Sequence, residues 1–243
     1  MAGGHRTSLR NCHLTFSLVA ELAQNQEPRP LFQFVQIPAK NFAQYGTLFN
    51  PVFGSAVSIR LARHHVIRKF RRDANIGCLY ALCWGFPRGR RPGGVGLDAA
   101  DPKQIQFFSA MIRAMRKHGL TARRYDTINS LRGISNGVTT KLMYFGELET
   151  KAGHPALIFD SRVHNYIQRH KPIEFNALLK TMPIYRPVPT GSEYLVYLKT
   201  VSEIAAAVQW QPDAVEMFMF INSPGKKSPS HMAPIAGVKP SSQ

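Results

Sequence analysis

The stretch Leu131–Phe145 constrains the fold of this chain more than any other. It contains the end of one helical pattern, a short turn with Gly133, and the start of a second helical pattern that carries Lys141. An apolar run then ends in Asp160, nineteen residues after the lysine. One helix and a connecting loop fit within that separation and can return the carboxylate to the neighbourhood of the lysine. The sequence therefore predicts two helices joined by a tight turn, with a lysine and a carboxylate as a candidate active site.

Basic residues far outnumber acidic ones, with 31 Lys and Arg against 14 Asp and Glu, for a formal net charge of +17. Such an excess predicts a polyanionic partner, and nucleic acid is the most natural one. Ribosomal or membrane-surface binding is the alternative interpretation. Apolar residues make up 44% of the 243 positions, enough for a substantial core, so extended disorder is expected only at the ends.

Other features exclude several classes of protein. No run approaches the roughly 20 consecutive apolar residues of a membrane span, and the N-terminus lacks the pattern of a secretory signal, so a cytoplasmic location is expected. The three cysteines form no CxxC pattern, which argues against a disulfide framework, a zinc ribbon and a four-cysteine iron–sulfur cluster. We expect neither a metal nor a cofactor.

Helical signals dominate the chain and predict an all-α or mostly-α fold. Asp101 and Pro102 suit the N-cap and the first position of a helix that ends at Gly119. Further helices are predicted at Ile76–Trp84, after Asp160, at Glu193–Val208 and from Pro212 to Asn222. A short strand or extended segment is predicted at Leu31–Ile37.

The chain divides into three parts on this interpretation. Residues 1–40 form an N-terminal leader with the short extended segment, and residues 41–222 form a helical domain whose hairpin and candidate catalytic region span 121–170. Residues 223–243 are rich in Ser, Pro and Lys and are predicted to be a disordered basic tail.

Several basic segments are candidates for contact with phosphate. The segment Ser55–Phe70 interleaves apolar residues with Arg60, Arg63 and Arg68, a pattern typical of either a solvated helix face or a phosphate-contacting one. A loop rich in Gly and Pro follows Phe86, and a short helix precedes the hairpin. Their arginines are candidate DNA contacts: Arg88, Arg90, Arg91, Arg123 and Arg124.

The hairpin offers a second kind of anion contact. Successive backbone N–H groups at a helix start bind phosphate, and here they would come from Gly133, Ser135 and Gly137, with Arg132 adding a charge. An ordinary corner between two helices explains the turn equally well. Asp160 has two compatible roles: it caps the next helix, a contribution of about 1 kcal/mol, and it is a carboxylate held in place for chemistry.

The hairpin, Lys141 and Asp160 together resemble the helix-hairpin-helix DNA glycosylases, especially the 8-oxoguanine DNA glycosylase branch. In that family a hairpin grips phosphate, a lysine follows it, and an aspartate caps the next helix. The chain is also similar to bacterial glycosylase-fold proteins of phage defence, one of which excises glucosylated hydroxymethylcytosine. The resemblance implies two helical lobes with the active site between them, acting as a monomer on double-stranded DNA with a modified base.

The hairpin departs from the family pattern, which reads L-P-G-V-G with the lysine two residues after the second glycine. Arg132 replaces the proline and Ser135 replaces that glycine. If the hairpin is aligned on Gly133, the family lysine falls on Gly137, and the chemistry would depend on Asp160 alone. If the alignment is made on Lys141 and Asp160, the hairpin carries a four-residue insertion and a lysine nucleophile is allowed.

The chemistry of base excision assigns a role to each candidate. Cleavage of an N-glycosidic bond develops positive charge on the sugar, which a fixed carboxylate such as Asp160 stabilises while it orients a water molecule. Lys141 either attacks the sugar carbon and forms a Schiff base, which adds strand cleavage, or it pairs with Asp160 or a phosphate. Arg162 occupies a position where the family commonly has a phosphate contact.

A base inside a duplex must be flipped into a pocket before it can be excised. The candidate pocket aromatics are Trp84, Phe86, Tyr144, Phe145, Trp210 and Phe218. The sequence thus predicts a DNA glycosylase acting on a modified base, in phage defence or in 8-oxoguanine repair with lyase activity. A non-catalytic DNA- or RNA-binding helical module and an RNA-processing protein are the alternatives.

Overall fold

The computed structural model describes residues 16–90, 97–131, 134–182 and 188–223. Within them the chain forms eleven α-helices and one sheet of two strands, which confirms the predicted mostly helical fold. The first 15 residues of the predicted leader, the tail beyond Ser223 and residues 183–187 of the predicted extended Pro183–Pro189 segment lie outside this description. So do three of the candidate DNA contacts, Arg91, Arg132 and Gly133.

The α-helices are α1 (Leu18–Leu22), α2 (Asn50–Phe53), α3 (Arg63–Arg72), α4 (Ala74–Gly85), α5 (Pro102–His118), α6 (Ala122–Asn129), α7 (Asn136–Phe145), α8 (Ser161–His170), α9 (Asn176–Thr181), α10 (Gly191–Val208) and α11 (Pro212–Ile221). The strands are β1 (Phe34–Pro38) and β2 (Ser58–Ala62), and 3₁₀ segments occur at Pro30–Phe32, Ala39–Phe49 and Ile173–Phe175.

The two strands pair antiparallel, with Phe34 opposite Ala62 and Pro38 opposite Ser58. The interpretation of Ser55–Phe70 as one basic helix face is therefore wrong in its first half, because β2 occupies residues 58–62 and α3 starts at Arg63. Val57, Ile59 and Leu61 alternate with the period of a strand, whereas Val66, Ile67 and Phe70 have helical spacing, so the segment joins two different patterns.

Aspartate side chains cap the starts of three helices, α4, α5 and α8. Asp73 accepts hydrogen bonds from the backbone N–H groups of Asn75 and Ile76 at the start of α4. Asp101 does the same at α5, where Pro102 is the first helical residue and Gly119 follows the end, as the sequence predicts. Such caps satisfy N–H groups that have no partner inside the helix.

The core places the segment before Asp160 between α7 and α10. Residues 156–159 are almost fully buried although they belong to no helix. Their backbone is held by α10, because the Tyr194 hydroxyl donates to the carbonyl of Leu157 at 2.6 Å and the Tyr197 hydroxyl to that of Ile158 at 3.3 Å. Tyr194 in turn stacks on Tyr125 of α6. This packing gives Asp160 a rigid support.

None of the described helices is long and apolar enough to span a bilayer.

Candidate active site

Lys141, Ser135 and Asp160 converge around Gly137 at the start of α7. The Lys141 ammonium folds back along the helix and its Nζ donates to the Gly137 carbonyl at 3.2 Å. A Cβ atom placed on Gly137 would lie 3.6 Å from that Nζ, 3.8 Å from the Ser135 Oγ and 3.9 Å from the Asp160 Cβ. The Lys141 amine and the Asp160 side chain therefore both approach Gly137.

This geometry bears on the two alignments of the hairpin. Side chains on a helix lean towards its N-terminus, so a residue one turn further along covers the surface of the preceding turn. The Lys141 amine consequently lies beside position 137, where the alignment on Gly133 would place the family lysine. By the same rule, the amine of a lysine at position 137 would lie about one turn nearer the N-terminus, so the two alignments place the amine differently.

Asp160 is the N-cap of α8, as predicted. Its Oδ1 accepts hydrogen bonds from the backbone N–H groups of Arg162 at 2.9 Å and of Val163 at 3.3 Å. The side chain is partly exposed, unlike the four residues before it. The carboxylate is thus held by one oxygen in a fixed orientation while its residue still reaches the surface.

Two polar residues of α7 fix Asp160 relative to Lys141. Asn136 donates through its side-chain amide to the Phe159 carbonyl at 2.9 Å, and the Phe159 N–H donates to the Thr140 hydroxyl oxygen at 3.1 Å. Thr140 is fully buried and also donates to the Asn136 carbonyl at 2.8 Å. Sequence analysis missed both residues, whose signal is a polar side chain at buried positions of an otherwise apolar helix.

Burial lowers the pKa of Lys141, and the nearby Asp160 and Glu216 carboxylates only partly oppose that shift. Its stem lies against Gly85 at the end of α4, and its Nζ is 5.9 Å from the centre of the Phe86 ring. A neutral amine is a nucleophile and an ammonium is not, so this environment favours the reactive form.

A buried ion pair lies behind the site and was not anticipated. Arg63 and Glu216 are 1% and 0% exposed, and the Arg63 Nη1 donates to the Glu216 Oε2 at 2.8 Å. The guanidinium also lies 5.3 Å from the Trp84 ring and 5.0 Å from the Tyr144 ring. Although burial opposes the charged form, Glu216 raises the pKa of Arg63. The expectation that Arg63 is a solvated or phosphate-contacting residue is wrong, because its partner comes from α11.

The candidate pocket aromatics divide between the core and the site. Trp84, Tyr144, Phe145 and Phe218 are at most 7% exposed; Trp84 and Phe145 contact each other edge to face, and Phe218 contacts Trp210. Of the six, Phe86 is the one that lines a cleft beside Lys141. That cleft is too narrow for a water molecule, so any larger molecule could enter it only if Phe86 or Lys141 moved.

The candidate DNA contacts also divide. Ser135 and Gly137 lie at the start of α7, and Arg162 lies in the first turn of α8, 4.4 Å from the Phe220 ring. Arg88 and Arg90 are exposed on a turn that follows the C-terminal end of α4. Three side chains hold this turn in place. Asn41 donates to the Pro87 carbonyl, and Gln44 and Tyr45 both donate to the Gly89 carbonyl. Arg123 and Arg124 lie at the start of α6, away from the hairpin. Among the described residues no group of three or more side chains is arranged to hold a metal ion.

Comparison with known proteins assigns the chain to a family. No match was found among curated proteins or among solved structures. A family model described as "Putative 8-oxoguanine DNA glycosylase OGG-like protein" matches residues 39–220, which include every residue of the site described above. The match covers about three quarters of the chain and confirms the resemblance to the 8-oxoguanine DNA glycosylase branch at the level of the family. The chain belongs to the OGG-like 8-oxoguanine DNA glycosylase family.

Proposed function

We propose that the protein is a DNA glycosylase that flips a modified base out of the duplex and breaks its N-glycosidic bond with Lys141 and Asp160. The observation that carries this proposal is the convergence of the Lys141 amine and the Asp160 side chain beside Gly137. Family membership and the net charge of +17 support DNA as the partner.

The reaction uses the two groups in complementary ways. As the bond between C1′ and the base nitrogen breaks, its electron pair leaves with the base, which takes up a proton. The Asp160 carboxylate stabilises the positive charge that develops on the sugar. The neutral Lys141 amine forms a bond to C1′ and then loses its protons as the sugar ring opens to a Schiff base. Loss of a C2′ proton from that Schiff base then expels the 3′ phosphate and cleaves the strand, and hydrolysis of the imine frees Lys141.

Hydrolysis is the second form of the same reaction. Here water rather than Lys141 attacks C1′, Asp160 orients it, and an intact abasic site remains. The lowered pKa of Lys141 and its position beside Gly137 favour the lysine nucleophile. The alignment of the hairpin on Gly133, by contrast, would favour hydrolysis that depends on Asp160 alone.

The biological substrate is proposed from the two resemblances. The family description points to 8-oxoguanine. The similarity to phage-defence glycosylases points to glucosylated hydroxymethylcytosine, and we propose excision of that base from phage DNA as the role of the protein, with 8-oxoguanine repair as the alternative. The narrow cleft at Phe86 must open for either base.

The test is base release from duplexes that each contain one 8-oxoguanine, one glucosylated hydroxymethylcytosine or only normal bases. Mass spectrometry identifies the released base, and borohydride traps a Schiff base if one forms. We expect release and trapping with one modified duplex, loss of trapping in Lys141→Gln, and loss of release with retained DNA binding in Asp160→Asn. Full release by Asp160→Asn would contradict the assignment, and no release from any duplex would favour a non-catalytic binding protein.

A further inference from the structure

The buried Arg63–Glu216 pair is held in one orientation. The Arg63 Nη1 donates to the Glu216 Oε2 at 2.8 Å, and Nη2 donates to Oε1 at 3.4 Å. The third nitrogen, Nε, donates to the side-chain oxygen of Gln33 at 2.9 Å. Two parallel bonds between a guanidinium and a carboxylate fix the geometry of both groups. One positive and one negative charge are therefore held at fixed places inside the protein.

Stability alone gives little reason for a charged pair at this position. Both side chains are almost completely buried, at 1% and 0% exposure. Taking two charges out of water costs about as much as their attraction returns, and well-packed apolar side chains of similar volume often stabilise a core equally well. The pair differs from such side chains in the electric field that it exerts on its neighbours.

Lys141 is one of those neighbours. The guanidinium of the pair lies 5.3 Å from the Trp84 ring and 5.0 Å from the Tyr144 ring. Gly85 follows Trp84 in α4, and a Cβ atom there would lie 2.8 Å from the Lys141 Cδ. Tyr144 is three residues after Lys141 in α7, so their side chains are neighbours on the helix surface. The residues that flank Lys141 are thus the ones against which the pair packs.

Charges on three different helices or caps act on the Lys141 amine. Burial lowers the pKa of Lys141, Asp160 before α8 and Glu216 of α11 raise it, and Arg63 of α3 lowers it further. Charges inside a protein are screened much less than exposed ones, so a pair that does not touch the amine still affects it. Glu216 acts on the amine more strongly than Arg63 does, so the two effects do not cancel.

We propose that Arg63 and Glu216 are positioning residues of the proposed active site, whose fixed charges set how much of the Lys141 amine is in its neutral, nucleophilic form. Glu216 favours the ammonium and Arg63 favours the free amine. The proposal rests on the proposed function, because only there is the amine a nucleophile. The electrostatic link between the pair and Lys141 does not depend on DNA and is measured without it.

Removal of Glu216 has an effect of known sign. An arginine keeps its proton in proteins, so Glu216→Gln leaves a fixed cation near the amine. We expect the midpoint of the Lys141 titration to fall by at least about half a pH unit, which raises the neutral fraction below the midpoint about threefold. The variant Arg63→Met/Glu216→Leu removes both charges and fills the space with apolar atoms. Its midpoint should lie between those of Glu216→Gln and the wild type, because Glu216 has the stronger effect of the two.

The measurement is a pH titration of the Lys141 side chain by NMR, in the full chain with lysines isotope-labelled at Cε. The signal that disappears in Lys141→Gln identifies the residue. The control variant is Glu174→Gln, which removes a half-buried carboxylate that accepts hydrogen bonds from the Ser17 hydroxyl and from the N–H groups of Leu18 and Val19. It loosens the start of α1 without changing the charges that act on Lys141. Thermal unfolding shows which variants are folded at the temperature of the titration.

The expected order of midpoints, lowest first, is Glu216→Gln, the double variant, and then Glu174→Gln together with the wild type. An unchanged midpoint in folded Glu216→Gln would overturn the proposal. An equal fall in Glu174→Gln would also overturn it, because loss of structure would then account for the shift. If Glu216→Gln is unfolded, the double variant decides, since apolar replacements of a buried pair are well tolerated, and a wild-type midpoint there refutes the link.

Borohydride trapping separates this proposal from the proposed function. If Lys141 is the nucleophile, the pH profiles of trapping follow the same order as the NMR midpoints. The same NMR order without trapping on any duplex would refute the proposed chemistry and leave the electrostatic link between the pair and the amine established.

Discussion

Gly85 leaves room for the aliphatic stem of Lys141, and Gly85→Ala is the sharpest test of the proposed nucleophile. Gly85 is the last residue of α4, and a Cβ atom there would lie 2.8 Å from the Lys141 Cδ and 3.3 Å from its Cε. Carbon atoms in contact prefer about 3.5–4.0 Å. The lysine stem must therefore shift by about 1 Å.

The two effects of this substitution differ in size. The shifted atoms belong to the far half of a flexible side chain, so the clash is relieved cheaply, and alanine is favoured over glycine in a helix by about 0.5–1 kcal/mol. The free energy of unfolding should change by less than about 1 kcal/mol. A displacement of about 1 Å in a reacting group can cost on the order of 100-fold in rate. We expect single-turnover base release to fall about 10- to 100-fold in a fully folded protein.

The assay compares Gly85→Ala, Lys141→Gln and the double variant by single-turnover base release, with thermal unfolding as the control for folding. If the alanine acts through the lysine, the double variant is no slower than Lys141→Gln alone, because coupled sites are not additive. Wild-type release by Gly85→Ala, or a double variant slower than Lys141→Gln, would refute the reasoning.

Three further predictions concern the groups around this amine. Asp160→Asn keeps both cap hydrogen bonds, so its unfolding temperature should match that of the wild type. Asp160→Ala removes them and should lower the free energy of unfolding by about 1 kcal/mol in a denaturant titration. A large loss of stability in the asparagine variant would contradict the cap geometry. Arg63→Met leaves Glu216 buried without a partner and should lower the free energy of unfolding, measured by urea titration, by about 3–5 kcal/mol. A change below about 1 kcal/mol would show that water reaches the pair. Because only the neutral Lys141 amine attacks and burial lowers its pKa, borohydride trapping should rise with pH to a plateau whose midpoint is below the ordinary lysine value; a rate that falls as pH rises from neutral would count against the nucleophile.

The sequence predicted the parts of this site that local chemistry determines. Asp101 and Asp160 were recognised as caps because a carboxylate before an apolar helical pattern has a local reason to be there. The separation between Lys141 and Asp160 likewise indicated a helix and a returning segment, and the structure places both beside Gly137. Their catalytic roles stay predictions.

The parts that sequence analysis missed depend on distant partners. Arg63 was grouped with solvated arginines since nothing within its own helix shows that Glu216, 153 positions away, removes it from water. Thr140 was not singled out because its role is to bond the backbone of Phe159, and backbone groups have no sequence signal of their own. The aromatic pocket candidates failed to converge for a similar reason: most aromatic side chains in a helical core pack against other helices, as Phe145 does against Trp84.

The Arg63–Glu216 pair also sets an order on the synthesis of the protein. At about 5–20 residues per second, a ribosome that has made Arg63 needs on the order of 10–30 seconds to reach Glu216. Until then Arg63 has no counter-charge, and α8, which starts at Asp160, lacks α11, against which it packs through Tyr166 and Phe218. A nascent chain that stops before α11 therefore lacks both the carboxylate that pairs with Arg63 and the helix against which α8 packs. The core behind the candidate site is therefore complete only when α11, the last of the described helices, has been made.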